Sequence, residues 1–444
     1  MTHTSTTGAR LAQSTGGTLA DLIPFNGLVY AESLKGSIGD LTTPPYDIIS
    51  KEAQKAFYEK NPNNVIRLEL PMAPEPETPE SNRYTRARAD LDRMLSSGVL
   101  TVDPVPALYP YTMTFKDPLT GSSRKIQGFV GRIRLEEWEK KIVYPHERTL
   151  QGPKEDRMAL FKATSCSFSQ IYLLYPDATR EIIGLLAPKS VERFRCTDSD
   201  NVLHELGAVT DAATLARVTE IFRKKSLYIA DGHHRYETYL AYRNYRRSLE
   251  TSPNPNAPYE FVTVFLAAME DENLSVLPTH RLVKSVPGGA KAFLQGLESR
   301  ASIERFSKAQ GDRFLAALRA SNPQETVIGV AVSETDELLL CRLNVPRGEG
   351  VKALDTYWLQ EAVLSPLLNI TPERIRTEDL IRYDKSDRSV QEKVFGTRDY
   401  ALGFFIRPVS AKVIESVTQR GELMPQKSTY FYPKPLTGMV MAKL

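Results

Sequence analysis

The chain has 444 residues, of which 41% are hydrophobic and 25% are charged, and its formal net charge is +3. This length predicts two or three domains, and the composition is that of a soluble globular protein. A nearly neutral charge over such a length argues against a broad surface for nucleic acid. No stretch approaches the roughly 20 apolar residues of a membrane helix. We therefore expect a cytoplasmic protein without a membrane partner.

The cysteines and the first residues exclude further classes. Cys166, Cys196 and Cys341 are far apart in sequence and form no CxxC motif. This pattern favours reduced, buried cysteines over a disulfide framework or a thiolate metal site. Residues 1–20 are rich in Ser, Thr and Gly and lack an apolar core, which predicts a disordered tail rather than a signal peptide. Their resemblance to a transit peptide is weak.

Residues 21–138 show a mixture of helix and strand patterns. The stretch TPPYDIIS contains two prolines, which predict a stiff loop, and Asp47 lies at the polar tip of this loop. Further along, the spacing of Ala87, Leu91 and Met94 predicts a helix. Two strand-like stretches, ALYPYTMTF and IQGFVGRIRL, then bracket the turn DPLTGSS. We therefore expect an N-terminal α+β region.

The polar stretch YPHERTLQGPKEDR is the first candidate site, and its charged residues include His146, Glu147, Arg148, Lys154 and Arg157. The order of these charges does not match the i,i+4 pairing that stabilises a helix. Glu147 is a candidate for taking a proton from a substrate hydroxyl. Lys154 and Arg157 are candidates for binding phosphate oxygens. The alternative is a solvated, charged loop.

The strand-like stretch SLYIA ends at a second candidate site, DGHHR. Asp231 is a candidate N-cap, and Gly232 permits a tight turn or a close approach to a ligand. His233, His234 and Arg235 then fall in the first helical turn, where free N–H groups and the helix dipole favour an anion. Arginine presents a planar set of donors that suits phosphate. The stretch therefore predicts a phosphate-binding turn.

Two other interpretations of this turn remain open. A capped helix whose histidines lie at the surface would show the same local pattern. Adjacent histidines on a helix point about 100° apart, so His233 and His234 cannot easily both bind one ion. A metal site would therefore combine one of them with His146 or His280.

Two later stretches combine cations with hydroxyl groups, as a phosphorylated ligand would require. The stretch LPTHRLV places His280 and Arg281 at the end of a strand-like region. The stretch MPQKSTYFYPK is a proline-bounded, extended segment that carries Lys427, Ser428, Thr429 and Lys434. We predict that both stretches, together with Asp47, bind substrate.

The alternation of helix and strand patterns also divides the rest of the chain. Residues 139–288 form a second region that ends at SVPGGA, and residues 289–444 form a C-terminal α+β region. This alternation favours an α+β fold with mixed sheets over a regular doubly wound fold.

Five of these blocks, in this order, resemble a known family. PPYDIIS, PHERTLQGPKEDR, IADGHHRYETYLAYRN, LPTHRLV and MPQKSTYFYPK are similar to the signature blocks of a bacterial and archaeal family, domain of unknown function 1015. The resemblance extends over nearly the whole chain, from about residue 22 to residue 444.

A strand followed by DGHHR and a helix also resembles the phosphate-binding turn of the ParB/sulfiredoxin-like superfamily. That superfamily includes ParB partition proteins, sulfiredoxins and kinases that phosphorylate free L-serine. The resemblance implies a ParB/sulfiredoxin-like nucleotide-binding core over residues 139–288, with additional N- and C-terminal α+β regions. The turn contains no cysteine, which argues against sulfiredoxin chemistry.

The resemblance to the serine kinases also implies roles for individual residues. In those kinases, a His-Glu element supplies the catalytic glutamate and an Asp-Gly-His-x-Arg turn holds nucleotide phosphate. Carried over, Glu147 is the base, and Asp231, His233 and Arg235 form the phosphate and metal end. The spacing between Glu147 and Asp231 is longer here than in the compact members of the superfamily.

The first functional hypothesis is therefore a kinase of a small hydroxylated metabolite, with free L-serine as the simplest acceptor. ATP or ADP would be the donor, with Mg²⁺ bridging its phosphates through Asp231. The expected nucleotide or phosphate contacts further include His146, Arg148, Lys154, Arg157, Gly232 and His234.

Two alternatives belong to other classes. One is a non-catalytic, nucleotide-dependent switch that touches nucleic acid through Arg243, Arg246 and Arg247, although the near-neutral charge argues against substantial DNA binding. The other is a metal-dependent phosphoester hydrolase built on Asp231 and on His146, His233 or His234.

Overall fold

The computed structural model describes residues 20–73, 75–147 and 152–444. The predicted tail, apart from residue 20, and Arg148 lie outside the described residues. The described part is an α+β structure with mixed sheets, as predicted. No helix among its described residues is long and apolar enough to cross a membrane.

A large, mixed sheet is built from nine strands that span the first part of the chain. These strands are β1 (Leu22–Ile23), β2 (Tyr109–Lys116), β3 (Ser123–Arg134), β4 (Val143–Tyr144), β5 (Ile171–Tyr175), β6 (Val191–Thr197), β7 (Leu203–Ala208), β8 (Leu227–Asp231) and β9 (Phe261–Ala268). Their order is β4-β8-β5-β9-β3-β2-β7-β6, and β1 also pairs with β3. Only the β4–β8 and β5–β9 pairs are parallel among these strands.

A second, antiparallel sheet follows in the chain. Its strands are β10 (His280–Val283), β11 (Ala301–Ser307), β12 (Val327–Val332), β13 (Glu337–Leu343), β14 (Arg382–Asp384) and β15 (Leu402–Phe405). They lie in the order β11-β13-β12-β15-β10-β14. Three short strand pairs complete the structure: Leu28–Tyr30 with Leu100–Val102, Ser275–Leu277 with Tyr430–Tyr432, and Cys166–Ser167 with Ala442–Lys443.

Helices cover the faces of the sheets. The longer ones are α1 (Lys51–Lys60), α2 (Arg83–Ser96), α3 (Gly152–Thr164), α4 (Ala212–Phe222), α5 (His233–Ser248), α6 (Gly289–Glu298), α7 (Gly311–Ala320) and α8 (Ala411–Gln419). Shorter helices span Ile38–Leu41, Ile66–Glu69, Glu181–Leu186, Asp355–Leu359, Ser365–Leu368, Pro372–Thr377 and Asp387–Gln391. In α2, the predicted apolar positions Ala87, Leu91 and Met94 are all buried, which confirms that helix.

Side chains alternate between the two faces of the large sheet, and each face supports its own core. On β8, for example, Tyr228 and Ala230 contribute to one core, whereas Leu227 and Ile229 contribute to the other. A strand that is buried on both faces has a continuous apolar run, which explains why the four residues LYIA of β8 are all apolar. The sheet positions the end of β8 between two packed layers.

The strands of the two sheets show how the fold relates to the predicted domain boundaries at residues 138 and 288. The large sheet takes strands from both sides of residue 138, because β2 and β3 lie in the same sheet as β4, β5 and β8. The second sheet begins at His280. The division into three regions remains a prediction, and the sheet joins the first two of them.

The last described residues pack into the core on one face of the large sheet. Residues 424–444, the C-terminal segment, pair with Glu147 through Met424, with Leu28 through Met441, and with Cys166–Ser167 through Ala442–Lys443. The side chains of Phe431, Leu436, Met439 and Val440 are buried in the first core. The C-terminal segment is therefore part of the packing of the first half of the chain.

Candidate functional site

The turn between β8 and α5 is the centre of the candidate site. Asp231 is the last residue of β8, and α5 begins at His233. The N-cap position is taken by Gly232, whose φ of 98° lies in the left-handed region. The prediction that Asp231 caps the helix is wrong, because α5 has no side-chain cap and the carboxylate is bound elsewhere.

The Asp231 carboxylate lies between two cations. Its Oδ2 accepts a hydrogen bond from Arg235 Nη2 at 2.7 Å, and its Oδ1 accepts one from Lys434 Nζ at 2.6 Å. Burial alone would raise the pKa of Asp231, but Lys434 and Arg235 outweigh burial and hold this pKa below its ordinary value. Asp231 is therefore a fixed anion at the start of α5.

Arg235 is buried, and most of its donors are occupied by the protein. Its Nη1 donates to Ser169 Oγ at 3.1 Å and to the Gln170 carbonyl at 2.8 Å, while Nη2 donates to Asp231. This arrangement is that of a residue that positions Asp231 and the turn. A direct contact with phosphate, as predicted, would have to use the Nε–H or the second N–H of Nη2.

Lys434 reaches the site from the C-terminal segment. Besides Asp231, its Nζ contacts Asp47 Oδ2 at 3.3 Å, and the nitrogen lies 5.1 Å from the centre of the Tyr430 ring. Burial alone would lower the pKa of Lys434, but Asp231 and Asp47 raise this pKa above its ordinary value. The side chain is only 7% exposed, so its ammonium is held as a charged group inside the site.

His146 and His233 form a buried pair whose proton positions are fixed by their partners. His146 Nδ1 lies 2.6 Å from the Ile229 carbonyl, which can only accept, so Nδ1 carries the proton. The backbone N–H of His146 donates to His233 Nε2 at 3.2 Å, which leaves the proton of His233 on Nδ1. Burial lowers the pKa of both side chains. Both imidazoles are therefore neutral donors and acceptors.

The same hydrogen bonds occupy nitrogen atoms that a metal site made from these histidines would need. His146 uses both of its nitrogens, since Nε2 lies 2.9 Å from Thr429 Oγ1. A metal-dependent hydrolase built on His146 and His233 would need at least one of these contacts to break.

Glu147 lies shortly after the end of β4 and next to the C-terminal segment. Its Oε1 accepts a hydrogen bond from the Ser428 backbone N–H at 3.0 Å and lies 3.8 Å from His146 Nε2. The Met424 N–H donates to the His146 carbonyl at 2.7 Å, which fixes the backbone beside it. Glu147 Oε2 receives no hydrogen bond from the described residues, and the side chain is 16% exposed. One carboxylate oxygen is therefore available to a ligand.

Arg281 brings a buried cation to the same place from β10. Its guanidinium donates to the Thr279 carbonyl and, at 3.3 Å, to the Lys427 carbonyl. Burial lowers the pKa of Arg281, an effect that Tyr383 and Glu147 partly offset. Within the described residues it forms no ion pair with a carboxylate. An uncompensated buried guanidinium is suited to an anionic ligand group.

Lys427 and Ser428 form the rim of the site. Lys427 has a φ of 54°, and its exposed side chain makes no ion pair with a described residue. Its charge lies close enough to lower the pKa of both His233 and His234 beyond the effect of burial. Ser428 is buried, and its Oγ lies 3.3 Å from Thr356 Oγ1, so this hydroxyl also ties the segment to the second half of the chain.

Three predicted residues are engaged elsewhere. Lys154 forms an ion pair with Glu237 on the neighbouring helix. Arg157 is buried between Glu69 and Asp156. His280, in β10 of the second sheet, has its Nε2 3.0 Å from Oδ1 of Asp387, the first residue of the short helix Asp387–Gln391. Because neighbouring residues of a strand point to opposite faces, Arg281 is turned toward the site and His280 is turned away.

The basic residues at the end of α5 also have partners. Arg243 is buried against Glu137 and the Leu135 carbonyl, and Arg247 donates to Glu260 at 2.7 Å. Arg246 lies 5.0 Å from the centre of the Tyr259 ring. These arginines hold α5 to its surroundings, so the structure gives no separate support to a basic face for nucleic acid.

Three further residues of the site were not predicted from the sequence: Ser169 and Gln170, which hold Arg235, and Glu69, whose Oε1 accepts a hydrogen bond from Ser169 Oγ at 2.8 Å. Their residue types are common and no local motif marks them. The signal that could have indicated them is the burial of Arg235, because a buried charged residue requires polar partners nearby.

The oxygens at the turn do not fit the predicted role of Asp231 as a magnesium ligand. Both of them already accept hydrogen bonds from cationic nitrogens. Mg²⁺ binds oxygen at about 2.0–2.1 Å, and at Asp231 it would have to approach against the positive charges of Lys434 and Arg235. Among residues 20–73, 75–147 and 152–444, no three His, Cys, Asp or Glu side chains are grouped to hold a metal.

Comparison with known proteins identifies the family. The chain belongs to the family described as protein of unknown function (DUF1015), which matches residues 22–357. This confirms the resemblance over three quarters of the chain. The stretch with Lys427 and Lys434 lies outside the matched residues. No curated protein matches the chain.

Several solved structures are similar to the chain at low identity. A conserved hypothetical protein from Pyrococcus furiosus is 12% identical, with a TM-score of 0.35, over 70% of this chain and 94% of that one. A free serine kinase mutant in complex with AMP is 10% identical, with a TM-score of 0.35, over 68% and 86%. A C-terminally truncated SbnI from Staphylococcus aureus is 10% identical, with a TM-score of 0.34, over 69% and 85%.

Proposed function

We propose that this protein transfers a phosphoryl group from ATP or ADP to the hydroxyl of a small metabolite, with free L-serine as the simplest acceptor. The observation that carries the proposal is the convergence of an available carboxylate, Glu147, with the start of α5 and three cations, Arg281, Lys427 and Lys434. Phosphoryl transfer depends mainly on positioning and on offsetting negative charge. The site provides groups for both.

The nucleotide phosphates would lie at the start of α5. The first N–H groups of a helix have no partner within the helix, and the dipole of a 16-residue helix favours an anion there. Gly232 has no side chain to block the approach, and neutral His233 offers its Nδ1–H as a further donor. Lys427 and Lys434 would supply positive charge from the C-terminal segment.

Glu147 would act as the base. Its Oε1 is held by the Ser428 N–H, so Oε2 is the oxygen that would take the proton of the acceptor hydroxyl. The hydroxyl oxygen then forms a bond to the terminal phosphorus, and the bond from that phosphorus to the bridging oxygen of the nucleotide breaks. The products are a phosphate ester and the nucleotide shortened by one phosphate.

Arg281 supports an acceptor that carries an anionic group. Its guanidinium is buried near Glu147 and lacks a carboxylate partner among the described residues. A carboxylate accepts two hydrogen bonds from a guanidinium in a defined geometry. An acceptor with a carboxylate and a hydroxyl a few bonds apart, as in L-serine, would place its hydroxyl toward Glu147.

Phosphorus NMR tests this proposal directly. Purified protein is incubated with ATP or ADP, L-serine and Mg²⁺, in parallel with Glu147→Gln, which keeps the shape of the side chain but removes the base. We expect a new phosphate ester signal in the wild type and a loss of about 10²–10⁴-fold in its rate in the variant. Glu59→Gln, on the exposed side of α1, is the matched control and should react like the wild type.

The other outcomes separate the remaining hypotheses. Release of free phosphate without phosphoserine would indicate hydrolysis or a different acceptor. Binding of nucleotide with no turnover of any acceptor would contradict the kinase and favour the nucleotide-dependent switch.

A further inference from the structure

Two carboxylates from distant parts of the chain converge on a single nitrogen atom. Asp47 lies on the loop after two prolines, and Asp231 ends β8. Lys434 Nζ lies 2.6 Å from Asp231 Oδ1 and 3.3 Å from Asp47 Oδ2. A pair of carboxylates beside a phosphate-binding turn is the usual setting of a divalent cation. Here a lysine of the same chain takes that position.

The position of this lysine is built into the fold. Tyr430–Tyr432, just before it, pairs with Ser275–Leu277. Just after it, the Leu436 N–H donates to the Tyr111 hydroxyl at 3.0 Å, and Thr437 pairs with Thr43. The backbone on both sides of Lys434 is thus anchored to residues that precede the second sheet in the chain, and the side chain is 7% exposed.

An ammonium and a divalent cation act differently at such a position. The lysine carries one charge, donates hydrogen bonds and cannot dissociate, whereas a metal carries two charges and takes oxygen ligands. Lys434 and Arg235 together offset the two negative charges of Asp47 and Asp231 without a metal. Each oxygen of Asp231 already accepts a hydrogen bond from a cation, so a metal ion that approached Asp231 would be repelled by both cations.

We propose that Lys434 is a tethered cation that fills the divalent cation position between Asp47 and Asp231. The protein by itself therefore holds no metal on these carboxylates, and any Mg²⁺ at the site arrives bound to the nucleotide phosphates. The absence of a metal on these carboxylates in the nucleotide-free protein does not depend on the proposed function.

Metal binding to the nucleotide-free protein tests this inference. Mn²⁺ is titrated into wild type and Lys434→Met, and free Mn²⁺ is measured by electron paramagnetic resonance. A metal takes its ligands at about 2.0–2.2 Å, so Asp47, on its exposed loop, must move closer once the ammonium is gone. We expect the variant to bind one Mn²⁺ at least about tenfold more tightly than the wild type.

Three further variants make the result specific. Adding Asp47→Asn to Lys434→Met should abolish the gain, because one of the two carboxylates is then lost. Lys434→Arg should show no gain, because it keeps the positive charge. Lys291→Met removes an exposed lysine of α6 that forms no ion pair with a described residue, and it should bind Mn²⁺ like the wild type. Lys434→Gln provides a second neutral variant if Lys434→Met does not fold.

Two results would overturn the inference. One is stoichiometric Mn²⁺ binding by the nucleotide-free wild type that disappears in Asp231→Asn. The other is folded Lys434→Met or Lys434→Gln protein that binds no more Mn²⁺ than the wild type. Either result can be obtained whether or not the protein proves to be a kinase.

Discussion

Gly232 meets two constraints at a single residue. Its φ of 98° lies in a region that other residues rarely adopt. A Cβ at this position would also lie 3.0–3.2 Å from the guanidinium atoms of Arg235. That guanidinium cannot move away freely, because Asp231, Ser169 and Gln170 hold it.

We therefore expect Gly232→Ala to lower the free energy of unfolding by about 1–3 kcal/mol. Gly98→Ala is the matched control, because Gly98 has a φ of 73° but no atom within 4 Å of its Cβ position. The loss of unfolding free energy in Gly98→Ala should therefore come from the backbone strain alone. Urea denaturation measures both variants, and equal losses would show that the contact with Arg235 adds nothing.

The buried histidines make stability depend on pH. Burial lowers the pKa of His146 and His233 in the folded state, whereas both titrate near 6.5 when unfolded. Their contribution is complete above about pH 6.5 and is lost as the pH falls toward the folded pKa values. The loss amounts to at most about 1.4 kcal/mol per pH unit for each histidine.

We expect His233→Gln to reduce this slope by the share of one histidine, because glutamine can accept the His146 N–H but cannot titrate. The free energy of unfolding in urea is measured at intervals from pH 7.5 to pH 5.5 for both proteins. An unchanged slope in the variant would mean that His233 is not buried in its neutral form.

At the scale of elements, local patterns predicted what local forces determine. The strand before the turn, α5 after it and the buried face of α2 were all predicted correctly, because periodicity reports which side of an element is buried. Asp231 was misread as a cap because Asp before a helix usually caps it. Here the Asp231 carboxylate binds Lys434 and Arg235 instead of the first N–H groups of α5, because both cations are buried and need a counter-charge.

The rest of the site depends on contacts that no local pattern carries. The sequence suggested that Glu147, Asp231 and Lys434 share a function, but not that Lys434 contacts Asp231. Likewise, Arg157 looked like a phosphate ligand until Glu69 and Asp156 were seen to enclose it. A buried charge can be recognised from sequence only when its partner is also recognised.

At the scale of the whole molecule, the C-terminal segment links the two sheets. It follows the second sheet in the chain but pairs with residues that precede that sheet. Its buried residues Phe431, Leu436, Met439, Val440 and Met441 belong to the core of the large sheet. Unfolding of either half should therefore remove support from the other.

We expect the two halves to unfold in one transition, and the two tryptophans can test this. Trp138 packs against Tyr236 beside the large sheet, and Trp358 donates to the Lys352 carbonyl beside the second sheet. Trp138→Phe and Trp358→Phe each leave one fluorescent reporter. Coincident urea midpoints for the two reporters are expected, and midpoints that differ beyond the effect of the substitutions themselves would contradict this coupling.

The contact between Asp231 and Lys434 also sets an order of events during protein synthesis. The two residues are separated by 203 positions. At roughly 5–20 residues per second, the ribosome needs on the order of 10–40 s to add that length. Throughout this interval, β8 and α5 can form while Asp231 has Arg235 as a partner but not Lys434. The turn between β8 and α5 can therefore form in the nascent chain before the second cation that binds Asp231 has been made.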